Sequence, residues 1–151
     1  MQRPAIVLAC LILTCAAVRE SRAETAIGAV FGYPGNVGLS LRIDRQPINV
    51  AWSTDFVHGT IDRWMIKRPF GEDSANRLYW YLGPGVDIGI PLNSDHDFFL
   101  AGRVPVGLQF WLTPKIETFG ELAPGIQIVH DFDFYWASNV GIRWVLGGKK
   151  K

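Results

Sequence analysis

The chain has 151 residues, 15 Lys and Arg against 14 Asp and Glu, and 48% hydrophobic residues. That length suits one domain, and a net charge of +1 excludes the basic footprint of a nucleic-acid binder. The two cysteines, Cys10 and Cys15, both fall in the leading segment 1–23, so the remainder can hold neither a disulfide framework nor a thiolate metal site.

That leading segment has a basic start at Arg3, an apolar run over 5–18 and a polar end at Ser21-Arg22-Ala23. The order is that of a cleaved secretory signal peptide, and the apolar run is shorter than the ~20 residues a spanning helix needs. A lipoprotein signal is the alternative, but Cys10 comes before a full apolar core and Leu13-Thr14 is a poor approach to Cys15. With Glu24 as the first mature residue, 24–151 is a single domain with 12 basic and 13 acidic side chains.

From there the chain alternates at period two, as strands do. The run 25–32 alternates small and apolar residues up to the turn signal Tyr33-Pro34-Gly35-Asn36. Val37, Leu39, Leu41 and Ile43 oppose Gly38, Ser40 and Arg42; after a break at 44–47, Ile48, Val50 and Trp52 oppose Asn49, Ala51 and Ser53. Over 57–66 the pattern is less clean, with His58, Thr60 and Asp62 on the polar face and Arg63 among the outward residues. The stretch 67–77 reads as the longest loop. In 79–90, Trp80, Leu82, Val86, Ile88 and Ile90 oppose Tyr81, Gly83, Gly85, Asp87 and Gly89.

The stretch 98–129 is a long hairpin turning at Thr113-Pro114. Its first arm sets Leu100, Gly102, Val104, Val106, Leu108, Phe110 and Leu112 against Ala101, Arg103, Pro105, Gly107, Gln109 and Trp111. Its second sets Ile116, Thr118, Leu122, Ile126 and Ile128 against Lys115, Glu117, Glu121, Gly125 and Gln127. The last run, 134–146, sets Trp136, Val140, Ile142, Trp144 and Leu146 against Ala137, Asn139, Gly141 and Arg143. Eight strands result, with no helical period. Gly-Pro-Gly, Val-Pro-Val-Gly and Ala-Pro-Gly recur around Pro84, Pro105 and Pro124, which suggests a repeated hairpin plan. Each proline removes an amide donor from its ladder, and the pattern offers no way to accommodate it.

Which face is inside decides the class of protein. The polar face is not the Lys- and Glu-rich face of a soluble barrel. It is rich in Gly, Ala, Asn and Gln, with Arg42, Asp62, Asp87, Arg103, Glu117, Glu121 and Arg143 among them. Small residues suit the crowded interior of an eight-stranded barrel. Aromatics on the oily face gather near strand ends, as interfacial girdles do. The expectation is an all-β, eight-stranded antiparallel up-and-down transmembrane β-barrel, oily side out, with a side-chain-filled lumen. Three arginines against four carboxylates should pair there, closing any aqueous channel and holding the barrel shut.

The motifs Arg103-Val104-Pro105-Val106-Gly107-Leu108, Glu121-Leu122-Ala123-Pro124-Gly125 and Gly141-Ile142-Arg143, with 78–85, carry a resemblance. The chain looks like a family of small uncharacterised outer-membrane barrels of Gram-negative bacteria, similar in architecture to the OmpA-type eight-stranded barrel. The match covers most of the mature chain and is strongest over 79–146. It implies fold and an outer-membrane location after Sec-type export, and it supplies no catalytic residues. The tail Gly147-Gly148-Lys149-Lys150-Lys151 departs from the aromatic terminus such barrels usually carry.

The function expected is a non-enzymatic barrel, structural or interacting with envelope components. Its partners would be outer-membrane lipid, including lipopolysaccharide, and it would be a monomer with no resident cofactor. A lipid-modifying enzyme is the alternative, with His58-Gly59-Thr60 and Asp73-Ser74 the nearest fragments of a catalytic set. A soluble periplasmic ligand-binding barrel is another, and a porin is disfavoured by eight strands. With the amino terminus periplasmic, the outer connections 33–36, 54–56, 91–97 and 130–133 contain no Lys or Arg. Their Asp95, His96, Asp97, His130 and Asp131 are candidate ligands for a divalent cation at the outer rim.

Overall fold

A computed structural model describes residues 24–71, 77–94, 96–129 and 132–147; the expected signal segment lies outside them. The described residues form eleven antiparallel strands and no helix. In chain order these are β1 (Thr25–Tyr33), β2 (Val37–Ile43), β3 (Gln46–Trp52), β4 (Phe56–Asp62), β5 (Ile66–Pro69) and β6 (Leu78–Leu82). They continue with β7 (Gly85–Pro91), β8 (Phe99–Arg103), β9 (Val106–Thr113), β10 (Ile116–Gln127) and β11 (Phe134–Gly147).

Eight of them pair in a ring, β1-β2-β3-β4-β7-β8-β10-β11, which returns through the β1–β11 ladder from Thr25↔Gly147 to Tyr33↔Ser138. The ring is uneven. Below it β10 also pairs β9, β9 pairs β6 and β6 pairs β5, while the free edge of β5 meets β3 by no ladder among the described residues. Residues 24 and 147 lie at one end, here the terminal end, with the turns at 44–45 and 114–115. The connections 34–36 and 53–55 and the described residues of 92–98 and 128–133 lie at the other, the loop end.

The eight expected runs become eleven strands because three of them are interrupted at one level, and the prolines explain how. The Arg63 amide donates to the Pro84 carbonyl (2.9 Å), Gly83 to Pro105 (3.3 Å) and Val104 to Pro124 (2.9 Å). In an antiparallel ladder a residue's N–H and C=O point to the same neighbour. Each proline therefore aims its missing donor at the place where the next strand is itself broken, and no regular donor position is lost. The repeat seen in the sequence is this row.

The expected 67–77 loop is shorter than the sequence suggested, since 67–69 belong to β5. The reason is a local irregularity after β4. Trp64 is inward while Met65 and Ile66 are both exposed, so the alternation slips by one residue and hides the strand beyond it.

Elsewhere the alternation runs as the sequence suggested, and it is inverted relative to a soluble protein. Ile27, Phe31, Leu39, Val50, Val106, Leu108, Leu122, Val140, Ile142 and Trp144 are exposed. Outward positions of β1–β4 and β7–β11 carry no charged side chain. Inside the ring lie Arg42, Asp62, Asp87, Arg103, Glu117, Glu121 and Arg143, all buried. The apolar core is correspondingly meagre, a contact among Val30, Ala51 and Phe119.

Candidate functional site

The buried charges stack in three layers along the interior, because the ladder register sets their heights. Nearest the terminal end, Glu117 on β10 faces Arg143 on β11 and binds Arg42 of β2 in bidentate fashion: Nε donates to Oε1 (2.8 Å) and Nη2 to Oε2 (2.7 Å). Arg143 Nη1 donates to Oε1 (3.3 Å), and Gln109 donates to Oε2. Arg42 also reaches Glu24 and the Asp44 carbonyl. Arg143 donates through Nε to Ser40 (2.7 Å) and lies 3.7 Å from the centroid of the Phe119 ring, a cation–π contact.

In the middle layer Arg103 donates through Nη2 to Glu121 (2.5 Å) and Asp62 (3.1 Å). Its Nε is 3.0 Å from Asp62 Oδ1 but is not aligned for a hydrogen bond, so both atoms lack a hydrogen-bond partner and that contact is ionic only. Tyr81 and Asn139 each donate to Glu121 at 3.0 Å, and Tyr81 stacks on Trp64 with centroids 4.2 Å apart.

The third layer, toward the loop end, adjoins Arg103 of the middle layer but is hydrogen-bonded chiefly within itself. Asp87 lies 3.2 Å from His58 Nδ1 and accepts from the Tyr135 hydroxyl at 3.0 Å. The seven charges are thus brought together, as two arginine–carboxylate clusters and a His–Asp–Tyr group that adjoins Arg103.

This third layer floors an open cavity of about 780 Å³ at the loop end. Phe56, Phe99 and Tyr135 stand around His58. Ring centroids are 5.5 Å apart for Phe56–His58, 5.8 Å for His58–Phe99 and 5.1 Å for Phe99–Tyr135. Asp55, Ser53 and Gln127 supply polar lining. Beneath His58 a second space of about 10 Å³ touches Asn49, Thr60, Asp87 and Arg103, which is the size of one water. Sequence reasoning placed His58 and Asp87 on the inner face but missed Tyr135 and Phe99 as part of the site. Their inward parity, shared with Ala137 and Ala101, was the available signal.

Of the rim residues, Asp95, His130 and Asp131 lie outside the described residues, as do Asp73 and Ser74. His96 rests against Phe56 with centroids 5.2 Å apart. Among the described residues no three His, Cys, Asp or Glu side chains come together as a metal-binding group. No family model, curated protein or solved structure matches this chain.

Proposed function

We propose that the protein is an integral outer-membrane β-barrel, an eight-stranded up-and-down ring sealed by its own side chains, non-enzymatic and structural or interacting with envelope components. One observation carries this reading. The polarity of the ring is inverted, with arginines and carboxylates inside and an uncharged apolar surface outside. Soluble monomers rarely expose contiguous apolar patches beyond a few hundred Å². In hydrocarbon the same surface is favoured, and a ring that returns on itself satisfies the backbone internally. β10 and β11, of 12 and 14 residues, reach the ~9–11 residues that a tilted strand needs to span. Exposed Trp52, Trp136 and Trp144 near strand ends fit interfacial girdles.

Carbonate extraction of membranes from expressing cells tests the proposal. The protein should stay in the pellet, be released by detergent, and migrate differently on a denaturing gel before and after boiling. Release by carbonate together with identical mobility would overturn it in favour of a soluble ligand-binding barrel. The mass spectrum of lipid A from the same cells separates it from a lipid-modifying enzyme, since the non-enzymatic reading expects no change.

A further inference from the structure

The loop-end cavity carries chemistry that a purely structural ring does not need. Three half-buried rings, Phe56, Phe99 and Tyr135, surround its floor from three different strands. Below them sits Asp87, fully buried, hydrogen-bonded to His58 and Tyr135, with the Arg103 guanidinium deeper in the interior beside it. Asp55 stands at the wall. Among the described residues no lysine or arginine lines the cavity, and the connections at that end contain none either, while Asp55 lines the wall and Asp97 and Asp133 lie in described parts of the same connections. The basic residues Arg45, Lys67, Arg68, Arg77 and Lys115 all belong to the opposite end.

Aromatic faces carry negative potential, and several of them around one point recognise quaternary ammonium groups. A cleft lined by one sign of charge also concentrates the opposite ion. We propose that this cavity is a binding site for small organic cations of the alkylammonium class, the cationic head between Phe56, Phe99 and Tyr135 and above the His58–Asp87 pair. The cavity is several times larger than such a head group, so a tail or linked moiety would extend toward the mouth. The proposal does not depend on the bilayer reading, because the same cavity exists in either medium.

Choline and its uncharged isostere 3,3-dimethylbutan-1-ol are the probes. Binding is measured by calorimetry on the full mature chain, in buffer or in maltoside micelles, whichever keeps it folded; phosphocholine detergents are avoided because their head group is itself a ligand of this class. Choline should bind saturably and the isostere about tenfold or more weakly. Phe56→Leu and Phe99→Leu should each bring choline down toward the isostere, while Tyr135→Phe, which keeps the ring, should retain the preference. Boiled and unboiled gel mobility checks the fold of each variant, and the wild-type comparison decides without them. No saturable choline binding, equal binding of the isostere, or undiminished choline binding by both leucine variants would each overturn the proposal.

Discussion

Glu117 accepts from side chains of three other strands, Arg42, Gln109 and Arg143. Its removal would leave Arg143 buried without a carboxylate and Arg42 with only the part-exposed Glu24. Glu117→Ala should therefore lower the unfolding free energy of the refolded protein by ~3–5 kcal/mol, the usual cost of breaking a buried pair on one side, read as an earlier midpoint in urea. Space inside is as constrained as charge. A Cβ on Gly107 would run into the Tyr81 ring and the Gly120 carbonyl, whereas one on Gly59 meets nothing closer than the Ile88 carbonyl at 4.0 Å. Gly107→Ala should destabilise by ~1–3 kcal/mol through overpacking, and Gly59→Ala should leave the urea midpoint almost unchanged. The same fit recurs where Gly141 meets Phe119 and Gly125 meets Tyr135, so inward aromatics are seated over glycines of a neighbouring strand.

At the level of the strands, outward position and depth should decide tolerance to charge. Leu108, exposed in the β9 face, should not accept arginine if the proposed bilayer setting holds: Leu108→Arg would then cost ~2–4 kcal/mol near the midplane, against ~0–1 kcal/mol near an interface for Phe132→Arg at the loop end. The fraction of each variant that becomes heat-modifiable on refolding into lipid vesicles measures this, and equal yields would refute the assigned depth. Which residues share a face was legible in the sequence, because alternation depends only on neighbours along one strand. The irregularity at Trp64-Met65-Ile66 and the strand after it were not, since one extra exposed residue reverses the phase and makes a short strand look like loop. Inward Val30, Trp64 and Phe119 were missed because a two-letter pattern of oily and polar has no place for an apolar residue on the polar side. The proline row was visible as a repeat, but its function depends on which residues face each other across strands, and that register is set only when the ring forms. The cavity at the loop end was invisible for the same reason, its lining being drawn from residues 33 to 136.

For the molecule as a whole, the proposed barrel would have its interior filled by these layers. Between the cavity floor and the terminal end lie a space of about 10 Å³ and then two ionic clusters spanning the interior. On the proposed barrel reading, planar bilayers containing the protein should show no unitary conductance, and discrete openings under applied voltage would contradict that reading.

The β1–β11 ladder, which joins the first and last strands of the ring, has a consequence for how the chain acquires its structure. Arg42 and Glu117 are 75 residues apart, and Arg143 and Ser40 are 103 apart; the partners on β2 and β11 meet only through that closing ladder. Until it forms, Ser40 and Arg42 on β2 stay apart from Glu117 and Arg143, and the attraction across that seam has not been gained. Desolvating them one at a time would be prohibitive, so closure and dehydration have to happen together. Folding should be slow, as long-range pairing requires, and cooperative, with tryptophan fluorescence and far-ultraviolet circular dichroism tracing one coincident transition in urea. A chain ending before β11 would leave β1 and β10 as unpaired edges, so the last fourteen-residue strand is the step on which ring closure depends.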